Sequence, residues 1–178
     1  MDLKIIKVGP LEENCYIISN SKTIVIDPGD ESDKIISYLK DNNLNIDSIL
    51  ITHHHVDHVG ALEDLLNYKE VKAYDISNLE EKDYNISDFN IEVIYTKGHT
   101  SDSVSYYFKD YNKMFVGDFI FEGSIGRTDL GGSQTDMINS LKKISKYDKD
   151  IIIYPGHGNS TTLKNELENN YYFKYFNI

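Results

Sequence analysis

The sequence predicts an α+β fold in which two central sheets are covered by helices. Three observations carry this: strand-like segments outnumber helical ones, helices flank several continuously apolar strands, and other strands alternate apolar with polar residues. A doubly wound parallel sheet fits that mixture less well.

Taken in order, strands are expected at 3–8, 15–19 and 23–27, with turn signals at Gly9-Pro10 and Asn20-Ser21 between them. A helix over 31–41 follows, its stripe formed by Ile35, Ile36 and Leu39. A buried strand at 47–51 runs into a histidine-rich loop and a helix at 59–67. A short strand near 71–74 and a polar stretch through 75–90 come next, then strands at 91–95, 103–108 and 113–117. The second of these shows the alternation, with Val104, Tyr106 and Phe108 set against Ser103 and Ser105. Met137, Ile138, Leu141 and Ile144 mark a helix over 135–146, "IIIY" at 151–154 a buried strand, and 161–170 a last helix. The aromatic "YYFKYF" after it is expected to pack within the monomer.

The chain has 178 residues, enough for one domain with a real core, and it is read as a single domain over 1–178. A formal net charge of −11 and a pI near 4.9 argue against nucleic acid or an anionic membrane as partner, leaving small molecules. One cysteine, Cys15, excludes an internal disulfide and is read as a buried, inert thiol. No signal-peptide pattern and no membrane-length apolar run is present, so a cytoplasmic location is expected. The sequence says nothing of oligomeric state.

The chemistry concentrates in "ILITHHHVDHVGALEDLL", where four of the six histidines and an aspartate fall within six positions. The loop leaves a buried strand and enters a helix, so His53, His55 and Asp57 are expected to share one face of extended chain. The first helical turn would then swing His58 round to join them. His54 points away and is read as solvent-facing or as outer support. Elsewhere, His99 in "YTKGHTSDS", His157 in "YPGHGNS" and Asp118 in "MFVGDF" each follow a glycine just after a strand. Four strand ends therefore offer ligands, as in sites gathered at one sheet edge.

The count is His53, His55 and His99, then Asp57, His58 and His157, with Asp118 left to bridge. Imidazole and carboxylate suit zinc, iron or manganese, and the absence of thiolates argues against a structural zinc site. Two divalent metal ions, zinc first among them, are the expected cofactors. Two ions bridged by a carboxylate and a water form a recurrent hydrolytic centre.

"THHHVDH" resembles the His-x-His-x-Asp-His signature of the metallo-β-lactamase superfamily, with His99, Asp118 and His157 matching its later motifs in order. "VGPLEENCYII", "VIDPG" and "YPGHGNSTTLKNE" extend the resemblance over nearly the whole chain, and "GDFIFEGSIGRTDLGGS" resembles the loop of short glyoxalase II-like hydrolases. The resemblance implies an αβ/βα sandwich, a four-layer fold with a dinuclear site at one edge. It also implies His53, His55 and His99 on one metal, Asp57, His58 and His157 on the other, and Asp118 between them. The activity it implies is hydrolysis of a 2-hydroxyacyl thioester by a metal-bridging hydroxide, with Asp57 orienting the hydroxide or accepting its proton.

Three features depart from that family. The C-terminal glutathione-binding helical domain of full-length glyoxalase II enzymes is not expected here. The third motif reads Thr96-Lys97-Gly98-His99-Thr100-Ser101-Asp102-Ser103 where members often have Thr-Pro-Gly-His-Thr-Pro-Gly-Ser, and "DLGGS" stands for "DLPGGD".

Leaving-group chemistry favours a small-molecule thioester as substrate, because a thiol with a pKa of about 8.5 departs as thiolate with little help. Arg127 is read either as a substrate-carboxylate ligand or as the partner of Asp129. Asp27, in "VIDPG", is read as an acceptor for an imidazole N–H behind the metal ligands, with a plain turn role as the competing view. Two rivals keep the fold: a mononuclear iron persulfide dioxygenase, and a non-catalytic metal-binding or regulatory module.

Overall fold

The computed structural model describes residues 1–178. Strands β1 (Asp2–Val8), β2 (Glu13–Ser19) and β3 (Thr23–Ile26) open the chain, followed by helix α1 (Ser32–Asp41) and strand β4 (Ile46–Leu50). The histidine loop leads through the four-residue helix α2 (Val56–Val59) and α3 (Leu62–Tyr68) to β5 (Lys72–Tyr74). The second half holds β6 (Asp83–Ile86), β7 (Phe89–Tyr95), β8 (Val104–Phe108), β9 (Lys113–Gly117), β10 (Ile120–Phe121) and β11 (Ser124–Ile125). Helix α4 (Gln134–Ile144), strands β12 (Ile152–Pro155) and β13 (Thr161–Thr162), and helices α5 (Leu163–Asn169) and α6 (Tyr171–Tyr175) complete it.

Two sheets stack face to face, one in the order β1-β2-β3-β4-β5 and the other β13-β12-β9-β8-β7-β6. Side-chain alternation explains why their strands are apolar on both faces. On β2, Tyr16 and Ile18 join Ile24, Ile26 and Leu50 against Ile91, Val93, Tyr106 and Phe115 of the facing sheet. Cys15 and Ile17 turn the other way, onto Ile35 and Leu39 of α1 and Leu65 of α3. On the far side Met114, Val116 and Ile153 pack under Met137, Leu141 and Ile144 of α4 and Phe173 of α6. The layers run helix, sheet, sheet, helix, the sandwich expected.

Strand directions gather the loops. β9 and β12 are parallel, and β8 is antiparallel to both β9 and β7, so β7, β9 and β12 point one way. Their C-terminal ends carry His99, Asp118 and His157 to one edge, where the loop after β4 meets them.

Four local differences from expectation have physical causes. The helix expected at 59–67 is two pieces, because Ala61 leaves helical geometry (φ −97°, ψ 2°) and its N–H donates to Pro28 O. The polar stretch 75–90 contains β6, whose "DYNI" buries only Ile86 and so lacks an apolar rhythm. The short β10 and β11 pair across a two-residue turn. The last helix begins at Leu163, since Thr161 and Thr162 pair with β12 as β13.

Candidate metal centre

The chain is clamped immediately before the first histidine. Thr52 donates its N–H to one oxygen of Asp27 and its hydroxyl to the other, each at 2.7 Å. Val104 N–H donates to Thr52 O, and the Tyr106 hydroxyl crosses between the sheets to donate to Ile51 O at 2.7 Å. His53 therefore leaves a fixed point. His55 is still extended (φ −67°, ψ 145°), but Asp57 already lies in α2 with His58. Asp57 thus does not continue the extended face with His53 and His55, as its spacing had suggested; the helical turn directs it toward His157 instead.

His53, His55 and His99 form the first nest. His55 Nδ1 lies 3.2 Å from His53 Nε2 and 2.9 Å from His99 Nε2. The outward nitrogens fix the tautomers. Thr52 has given its proton to Asp27, so its oxygen accepts from His53 Nδ1–H at 3.1 Å, and Arg127 O accepts from His99 Nδ1–H at 2.8 Å. Both rings are left with a bare Nε2 facing His55 Nδ1, so three ring nitrogens converge on one point.

Asp57, His58 and His157 form the second nest, their ligand atoms within 4.8 Å of one another. His58 Nδ1–H donates to Asp27 Oδ2 at 3.0 Å and His157 Nδ1–H to Leu11 O at 3.1 Å, which turns each Nε2 into the nest. His157 Nε2 sits 3.2 Å from Asp57 Oδ2. Asp118 stands between the nests: Oδ1 is 3.3 Å from His58 Nε2 and 3.7 Å from His157 Nε2, while Oδ2 is 3.6 Å from His99 Nε2.

Two glycines make this closeness possible. Gly117, at φ +53°, abuts the Thr52 side chain, and Gly156 lies where a Cβ would collide with Asp118 Oδ1 and the His58 ring.

The donor set fits divalent cations. His58 Nε2 and Asp118 Oδ1 are buried without a hydrogen-bond partner of acceptable geometry, and nothing positive faces the converging imidazoles. The electrostatics of these side chains agree. Burial, with His58 nearby, pushes His53 down to about 2, and burial also lowers His55. Burial opposes charge on both His58 and Asp118. Their mutual contact outweighs it, with Asp27 reinforcing His58, so that Asp118 is held at about 2 and His58 is raised well above its ordinary range.

Behind His58 sits a residue that no spacing argument singled out. Glu13 is 1% exposed, neither of its carboxyl oxygens has a hydrogen-bond partner, and Oε1 is 3.8 Å from His58 Nδ1. Burial first, then Asp27, pushes its carboxyl up to about 10. Its backbone pairs with His157, and Asn14 donates its side-chain N–H groups to Pro155 O and Gly158 O, so this corner of β2 also fixes the His157 loop. Its only sequence mark is a glutamate heading a strand buried on both faces.

His54 is half-exposed and supports the centre from outside. Its N–H donates to Asp102 Oδ2, its Nδ1 lies 2.7 Å from the same oxygen, and its Nε2 lies 3.2 Å from Asp75 Oδ2. It ties the loop of His53 and His55 to the loop of His99. Asp102, one of the three residues of this motif that depart from the family pattern, supplies the tie. The Arg127 guanidinium donates twice to Asp129 at 2.7 Å, so it would meet a substrate carboxylate only by releasing that partner. Cys15 is fully buried, and burial pushes its thiol up. No helix is long and apolar enough to cross a membrane.

This geometry agrees with comparisons to known proteins. Residues 8–81 and 71–157 match the family model of the metallo-beta-lactamase superfamily. The chain belongs to that superfamily. It is 34% identical to the probable metallo-hydrolase YqgX of Bacillus subtilis (strain 168), over 96% of this chain and 97% of that protein. It is 28% identical to the hydroxyacylglutathione hydrolase GloC of Haemophilus influenzae, over 96% and 97%. Among solved structures it resembles the BLEG-1 B3 metallo-beta-lactamase, with a TM-score of 0.92 and 30% identity over 96% of this chain and 99% of that one. It also resembles TTHA1623 in a di-iron-bound form, at 0.88 and 29% over 95% and 99%. Metallo-β-lactamase superfamily proteins bind divalent metals, and membership supports a metal-dependent hydrolase here.

Proposed function

We propose that the protein hydrolyses 2-hydroxyacyl thioesters with two divalent metal ions, zinc first among the candidates. The ions would be held by His53, His55 and His99 and by Asp57, His58 and His157, with Asp118 shared. The position of Asp118, within 3.7 Å of imidazoles from both nests, carries this reading. Ions so placed supply an activated water and polarise a carbonyl oxygen.

The chain's own residues set the rest. Asp57 is the most exposed carboxylate of the centre, and it orients the attacking water and takes its proton. Asp27, Thr52, Arg127 O and Leu11 O hold the imidazoles in the tautomers that present a bare nitrogen. Apart from Asp57 itself, no side chain is placed to protonate a leaving group. His53, His58, His99 and His157 have their Nδ1–H groups engaged, burial holds His55 neutral, and the protonated Glu13 is sealed behind His58. A leaving group that departs as an anion is therefore favoured, and among acyl derivatives a thiolate does so most readily. The likeness to GloC supports the same choice.

The test is turnover of lactoyl esters of several low-molecular-weight thiols by metal-loaded protein, with its metal content measured. Hydrolysis by a chain carrying two ions is the expected result. No turnover above background, or one iron per chain with oxygen uptake on a persulfide, would overturn it.

A further inference from the structure

Beside Asp57 lies a cleft of about 360 Å³ between the β1–β2 turn and the start of α2. Val8, Pro10, Leu11 and Val56 give it carbon surface, and its only ionisable groups are two carboxylates, Asp30 and Asp57. Leu11 is 63% exposed and Val56 81%, two of the seven large apolar side chains left at the surface, and both stand on its rim. An exposed β-branched residue at the head of a four-residue helix, wedged between two metal-nest residues, contributes nothing to the core. Apolar surface kept in water beside a reactive centre is a ligand signal.

We propose that this cleft holds the acyl chain of the substrate, and that the preferred 2-hydroxyacyl groups carry an aliphatic tail longer than the lactoyl methyl. This rests on the thioester reading above and names its substrate class. Asp57 lines the cleft, and His157 donates to the backbone oxygen of Leu11 on its rim, so the cleft borders the second nest. Charge selects which arm of the thioester it takes. Soluble thiol carriers bear carboxylates or phosphates, and the one charge of the cleft outside the metal nests, Asp30, is of the same sign. The acyl chain is the uncharged arm.

The experiment measures kcat/KM for lactoyl, 2-hydroxybutanoyl, 2-hydroxyhexanoyl and 2-hydroxyoctanoyl esters of one thiol. A rise of about two- to fourfold per methylene is expected until the cleft is filled. Val56→Ser should flatten that rise while leaving the lactoyl value within about twofold, the loss being confined to methylene burial; Leu11→Ser should flatten it too. Separately from turnover, the Val56 and Leu11 methyl resonances should shift on titration with uncharged 2-hydroxyoctanamide and not with 2-hydroxypropanamide. A flat series, a rise unchanged in Val56→Ser, or methyl groups shielded by a second copy in a dimer would overturn the proposal. If no thioester of any length is turned over, the hydrolase reading fails, and the methyl shifts still decide whether the cleft takes an aliphatic chain.

Discussion

In the nest of His53, His55 and His99 every facing atom is an imidazole nitrogen, whereas the nest of Asp57, His58 and His157 mixes imidazole with carboxylate and shares Asp118. In the second nest His58 and Asp118 sustain each other's charge: His58 is raised well above its ordinary range and Asp118 is held at about 2. In the first, burial pushes His53 down to about 2 and lowers His55, and the facing ring nitrogens lie 2.9–3.2 Å apart. Protons thus compete with a metal more strongly at His58 of the second nest than at His53 and His55 of the first. The first nest should therefore fill first and empty last on acidification.

The largest expected effect joins the two. Asp118→Ala removes the shared carboxylate, and activity should fall by about 10³-fold or more, with bound metal dropping below two per chain. Unchanged activity would make the nests independent. Next, the outer tie separates them. Asp102→Gly releases His54 from the loop of His99 and should weaken the first nest by about tenfold while sparing the second. Cobalt titration followed by absorption would show one affinity moving, and equal weakening of both would mean that the tie is merely structural.

The smallest effect concerns Glu13. Its carboxyl binds a proton in the folded protein up to about pH 10, while the unfolded chain releases it near 4.5. Its contribution is therefore complete below 4.5 and is lost progressively as pH rises toward 10. Glu13→Gln removes that dependence. Metal-free Glu13→Gln should gain on the parent as pH rises from 5 to 8, by on the order of 1–3 kcal/mol or roughly 5 °C in Tm. An equal Tm difference at both pH values would contradict the assignment.

The clustering of these side chains was legible because metal chemistry compresses into a few residue types at fixed spacing, and "THHHVDH" has little other use. The sandwich was legible because β2, β3 and β4 carry apolar runs (residues 15–18, 24–26 and 49–50) that place apolar residues on both faces, as strands between two layers do. What escaped depends on partners distant in sequence. Glu13 looks like an ordinary strand-leading glutamate until His58 and Asp27 close over it. Asp75 and Asp102 gain meaning only when two loops bring them to opposite nitrogens of His54. Asp57 was placed on an extended face because α2 is only four residues long, too short for an apolar period to announce it.

Occupancy of the paired nests tests the whole account most directly. Anomalous scattering from crystals of the protein loaded with zinc or iron should show two peaks per chain, one among His53, His55 and His99 and one among Asp57, His58 and His157, with Asp118 touching both. A single peak, or ions bound elsewhere while these side chains stay apart, would contradict it.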